Sequence, residues 1–98
     1  MPARTLWRHK TFPLITFRSP QEAMATEDIL KSIELCCLVV PTPRELAEGC
    51  GLSLRLFPQD VERCGEVLAQ QTIQAKFYEW NDKENKWQPF VGAVKMIE

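Results

Sequence analysis

The sequence predicts an α+β domain in which two helices cover one face of a four-stranded antiparallel sheet. Two segments repeat apolar residues at helical spacing, each with a proline at its start. Four short apolar segments have the length of strands, and the order along the chain is strand, helix, strand, strand, helix, strand.

The first strand is Leu14 to Phe17, which begins after Pro13 and ends at Arg18 and Ser19. A helix follows over about Pro20 to Ile33. Ser19 is its cap, Pro20 suits the first helical position, and Glu22 is placed to close a capping box. Ala23, Leu30 and Ile33 make its inner stripe, flanked by Met24 and Ile29, with Glu27, Asp28 and Lys31 on the outer side. Leu35 to Val40 is a continuous apolar run stopped by Pro41 and Pro43, and it reads as a strand buried on both sides or near the sheet centre. Arg44 to Glu48 has room for one helical turn before Gly49-Cys50-Gly51 bends the chain. In Leu52 to Phe57 the leucines 52, 54 and 56 alternate with Ser53, Arg55 and Phe57, the pattern of a half-buried strand.

Pro58 opens the second helix, where Asp60 and Glu62 complement the N-terminal dipole and Val61, Cys64, Val67 and Leu68 form the inner stripe to about Gln71. Thr72 to Trp80 is the fourth strand, Asn81 to Lys86 a polar turn, and Trp87 to Ile97 is open to an extra C-terminal strand or hairpin. This is the split βαβ order called ferredoxin-like, a βαββαβ sandwich, and the name implies no iron–sulfur cluster. It divides the chain into an N-terminal tail over 1–12, expected to be flexible, a ferredoxin-like domain over 13–80 and a C-terminal extension of turn and strand over 81–98. The sheet face away from the helices is expected to stay open for a partner, a ligand or a second copy in a homodimer.

Composition narrows the function classes. Ninety-eight residues suit one domain, and 45% hydrophobic with 26% charged residues suits a packed core. Twelve basic against thirteen acidic residues leave no basic stretch for a row of phosphates, so nucleic-acid binding is not expected. Leu35 to Val40 is far shorter than the roughly 20 apolar residues of a membrane span, and no secretory leader is visible, so the reading is a cytoplasmic protein. In a reducing compartment Cys36, Cys37, Cys50 and Cys64 are free thiols. None is spaced as a chelating pair, and His9 is the only histidine, so neither a metal nor another cofactor is expected.

The chemistry-bearing segment is the Gly49-Cys50-Gly51 loop. A reactive cysteine works as its thiolate, which needs access together with nearby positive charge or backbone N–H groups. Gly49 and Gly51 remove the Cβ atoms on both sides of Cys50, while Arg44 and Arg55 are close in sequence and would lower its pKa. The alternative is that the loop is only a tight connection and Cys50 a small apolar group. Cys64 on its helical stripe reads as core, and so do Cys36 and Cys37 in their apolar strand.

Pro41-Thr42-Pro43-Arg44-Glu45-Leu46, followed by Cys50-Gly51-Leu52-Ser53-Leu54-Arg55, resembles the signature of the selenium/sulfur (Se/S) carrier protein-like family of small domains, over about Leu14 to Trp80. The resemblance implies that Cys50 holds transferable sulfur or selenium as a persulfide or perselenide, with Arg44, Gly51 and Arg55 as motif positions. Its partners would be donor and acceptor proteins. No general base stands near Cys50 in sequence and no Gly-rich phosphate loop is present, so a carrier or binding protein is expected rather than a self-sufficient enzyme. Two other classes remain. One is a non-catalytic regulatory module that binds a small anion at the Gly-Cys-Gly loop through Arg44 and Arg55. The other is a thiol redox protein pairing Cys50 with Cys36 or Cys37.

Overall fold

A computed structural model describes residues 3–46 and 51–90, with side chains from Leu6 onward. The strands are β1 (Leu14–Phe17), β2 (Cys37–Pro41), β3 (Leu52–Leu56), β4 (Ala75–Asn81) and β5 (Lys86–Pro89), and the helices are α1 (Pro20–Ser32) and α2 (Val61–Gln70). They form one antiparallel sheet in the order β2-β3-β1-β4-β5. Among the described residues the sheet therefore has five strands and not four. The fifth falls where the sequence left room for an extra strand, and Trp80 and Trp87 face each other across the last pair with ring centroids 5.3 Å apart.

Leu54 and Leu56 of β3, Ile15 and Phe17 of β1 and Cys37 of β2 share one face, where Ala23 and Leu30 of α1 and Val61, Cys64 and Leu68 of α2 complete the main core. α1 starts as its sequence specifies: Ser19 Oγ accepts from Glu22 N–H at 3.3 Å and Pro20 sits in the first turn. Only half of the capping box forms, because the Glu22 carboxylate turns to Arg18, with Nη2 at 2.9 Å, and that contact holds its pKa below the usual range. Thr26 completes the buried face between Ala23 and Leu30. Pro58–Asp60 forms a short 3-10 turn, so α2 proper begins three residues after the proline.

β2 lies at the sheet edge and not at its centre. Its apolar run is explained by cover on two sides, since α1 packs on one side and an N-terminal 3-10 helix, Ala3–Arg8, also contacts the strand. That helix revises the expectation of a loose tail and an open second face. Leu6 is fully buried, and the Arg55 guanidinium Nη1 donates to the Leu6 carbonyl at 3.2 Å. Arg55 alternates with the core leucines of β3, so this contact lies on the sheet face away from α1 and α2. A second apolar layer there gathers Leu14, Val40 and Leu46, with Leu38, Tyr78 and Trp87 against them. The Leu6→Ala chain is expected to lose about 3 kcal/mol of unfolding free energy, as a buried leucine truncation typically does, in urea titrations. A loss under about 1 kcal/mol would mean that the helix contributes little to folding.

Candidate functional site

The connection between β2 and β3 is closed at its neck by a backbone bond and a hydroxyl pair. Pro41 and Leu52 are the last sheet partners, beyond which Thr42 N–H donates to the Gly51 carbonyl at 2.9 Å. The Thr42 and Ser53 hydroxyl oxygens lie 2.6 Å apart, and Ser53 has no solvent exposure. Pro43 then starts a single 3-10 turn, Arg44–Leu46, consistent with its fixed φ, and Leu46 N–H donates to the Pro43 carbonyl at 2.9 Å. Leu46 is buried beside Leu14 and Val40, so this arm of the loop is anchored to the sheet through one side chain. Arg44 and Glu45 stay exposed.

Gly51 is exposed, and a Cβ built on it would meet no atom within 4 Å. Its φ lies outside the left-handed region, so neither packing nor strain demands glycine here. Gly51→Ala is therefore expected to leave stability equal or raised by up to about 1 kcal/mol, read as an unchanged or higher thermal midpoint. A clear drop in that midpoint would show that the loop makes close approaches on that side.

Gly49 and Cys50 lie outside the described residues. Of the other positions singled out from sequence, Arg44 and Gly51 belong to the loop, whereas Arg55 is four residues along β3 from Gly51, a span of about 13 Å. Its guanidinium is held by the Leu6 carbonyl, its Nε is buried without a partner, and burial lowers its pKa. Arg55 thus fastens the N-terminal helix to the sheet.

Cys64 is fully buried and Cys37 almost so, and both are free thiols. Burial pushes the Cys64 thiol up to about 12 and, with help from Glu27, the Cys37 thiol up to about 11. Cys36 is half-buried. Cys37 pairs with Leu56 at the far end of the hairpin, so five residues of strand, about 16 Å, separate Leu56 from Gly51. The single peptide step of about 3.8 Å from Gly51 to Cys50 does not close that span to the roughly 7 Å that a Cys37 disulfide needs. This removes the geometric basis of the Cys37 redox pairing.

Sequence reasoning assigned no role to Thr42 or Ser53. The available signal was the alternation of β3, which puts Ser53 on the face opposite the core leucines and beside the first residue after β2. Among the described residues no cluster of His, Cys, Asp or Glu is arranged for a metal ion, and no helix is long and apolar enough to cross a membrane.

A family model described as "Putative Se/S carrier protein-like" matches residues 12–79, more than half of the chain. The match takes in the whole β2–β3 connection and leaves out the N-terminal 3-10 helix and β5. No curated protein and no solved structure matches the chain.

Proposed function

Because the chain belongs to the Se/S carrier protein-like family, we propose that it carries sulfur or selenium on Cys50 as a persulfide or perselenide between a donor and an acceptor protein. The observation that carries this reading is that the family match spans the Gly49-Cys50-Gly51 loop, while Cys37 and Cys64 are sealed in the core. Thiols pushed up to about 11 and 12 hold almost no thiolate near neutral pH, so neither competes as a nucleophile.

The transfer needs no outside oxidant. The Cys50 thiolate attacks the terminal sulfur of a donor persulfide, a new S–S bond forms as the donor's S–S bond breaks, and the donor leaves as its thiolate. An acceptor thiolate then attacks the carried sulfur, and Cys50 is the leaving group. With selenium the bond made and broken is S–Se. The exposed Arg44 side chain and backbone N–H groups of the loop stabilise the negative charge of the loaded and empty forms. Arg55 acts at a distance by holding the N-terminal helix on the sheet.

The fold reading that goes with this function is a ferredoxin-like unit formed by β1 to β4 with α1 and α2, to which β5 is added. It is supported by the strand order, in which β3 separates β1 from β2 and β1 separates β3 from β4. A reducing, cytoplasmic setting suits the free thiols of Cys37 and Cys64. The anion-binding alternative is weakened because the Arg55 guanidinium is engaged by Leu6, leaving Arg44 as its one loop arginine among the described residues.

The test is intact mass after incubating the reduced chain with a small-molecule persulfide donor. One added sulfur atom, removed by dithiothreitol and mapped to the Cys50 peptide, is the expected result. No addition, or addition mapped to Cys36, would overturn the carrier reading.

A further inference from the structure

We propose that the chain forms a homodimer through the free edge of β2, which pairs antiparallel with β2 of a second copy and joins the two sheets into one. The inference concerns a surface apart from the Gly49-Cys50-Gly51 loop and stands whether or not the chain carries sulfur.

The phase of the hydrogen bonds in the sheet decides which groups that edge offers. Thr42 N–H donates to the Gly51 carbonyl, and bonded pairs alternate along an antiparallel ladder, so Val40 and Leu38 exchange their bonds with Ser53 and Arg55 of β3. The bond from Leu56 N–H to the Pro13 carbonyl, on the other side of β3, fits the same phase. Cys37, Val39 and Pro41 therefore turn their backbone groups outward, and among the described residues no backbone group meets them there. The opposite edge is better guarded. Phe90 N–H donates inward to Phe77, which leaves Trp87 and Pro89 outward on β5, and Pro89 has no N–H to give.

Apolar surface flanks the β2 edge on both sides of the sheet. Among the described residues the exposed large apolar side chains are Met24 of α1, at 48%, and Trp7 of the N-terminal 3-10 helix, at 59%, and both elements contact β2. Met24 shares a stripe of α1 with Glu27 and Lys31, whose charges act on the Cys37 thiol, so that stripe overlooks β2. Open edges are commonly guarded by charged side chains, and β2 has none.

A second copy fits because this edge is complementary to itself. With Val39 on a two-fold axis, Val39 faces its own counterpart and Cys37 faces the partner's Pro41, so β2 is covered over its whole length. Each Val39 N–H then donates to the opposite Val39 carbonyl, and each Cys37 N–H to the opposite Pro41 carbonyl. Every outward donor is used, and proline falls where an acceptor alone is needed.

The test is sedimentation equilibrium of the full chain from about 5 to 500 μM, with amide exchange measured by NMR at both ends of that range. The expected result is a mass that climbs from one chain to two, with the Cys37 and Val39 amides slowed at high concentration. Val39→Pro removes two interchain bonds while sparing the ladder to β3, and should weaken the dimer roughly twentyfold, at about fivefold for each bond. Pro41→Ala supplies the missing donor opposite Cys37 and should tighten the dimer by a similar factor. If Val39→Pro fails to fold, Pro41→Ala and the native amide exchange decide the matter. A native chain that stays monomeric at about 500 μM overturns the proposal and leaves an extended strand of another protein as the occupant of the edge. A dimer in which the Cys37 and Val39 amides exchange as fast as in the monomer also overturns it, because that dimer uses another surface.

Discussion

Cys50→Ser is expected to abolish sulfur loading, leaving the added mass at the level of a chain never exposed to donor. The loss should be near-complete because the two core cysteines cannot take over. Cys37 is 3% exposed and Cys64 is 0% exposed, and in each case burial disfavours the thiolate that would attack the donor. Cys36 is half-buried and precedes β2 at the end of the hairpin away from Gly51, so peptide mapping separates loading there from loading of Cys50. Residual loading above about a tenth of the native rate would mean that a second thiol carries sulfur and would displace Cys50 from the proposed role.

The second large effect is a loss of stability at alkaline pH that follows the two core thiols. Their ordinary pKa is 9.0 and burial raises it in the folded chain, to about 12 for Cys64 and about 11 for Cys37. Below pH 9 both states keep the proton and the stability is fully present. Above it the unfolded chain releases protons first, so stability falls as the pH climbs and the loss from Cys64 ends only near pH 12. At roughly 1.4 kcal/mol for each pH step, Cys64 alone accounts for about 4 kcal/mol by the end of that window, a large part of a small domain's 5–15 kcal/mol. Urea titrations between pH 9 and 11 should therefore show a shallower decline for Cys64→Ala than for the native chain. The variant starts lower by about 1–2 kcal/mol at neutral pH because of the cavity it leaves. Parallel declines in the two chains would rule out Cys64 as the source.

Where local chemistry settles the structure, the sequence was readable. The Ser19-Pro20 start of α1, the alternation of Leu52, Leu54 and Leu56 and the inner stripe Val61, Cys64, Leu68 all appear in their expected places. Features that depend on tertiary neighbours were harder. The apolar run ending at Val40 correctly signalled cover on two sides, but burial does not distinguish a central strand from an edge strand roofed by helices. The N-terminal helix gave almost no signal because one buried residue, Leu6, stands beside exposed Trp7 with no periodic partner. At the loop, a motif supplied Cys50 where general rules supplied only a cysteine between glycines. Arg55 lies about 13 Å of strand from Gly51 with its guanidinium on the Leu6 carbonyl, a partner that closeness in sequence does not signal.

The bond from Arg55 to the Leu6 carbonyl joins residues 49 apart in sequence. A ribosome making about 5–20 residues each second needs roughly 2–10 s to get from one to the other. Through that interval the 3-10 helix carries Leu6 without the arginine that secures it. Its docking is a late closure of high contact order, and a bulky group fused there would interfere with the final step of folding before it touched the sheet's own assembly.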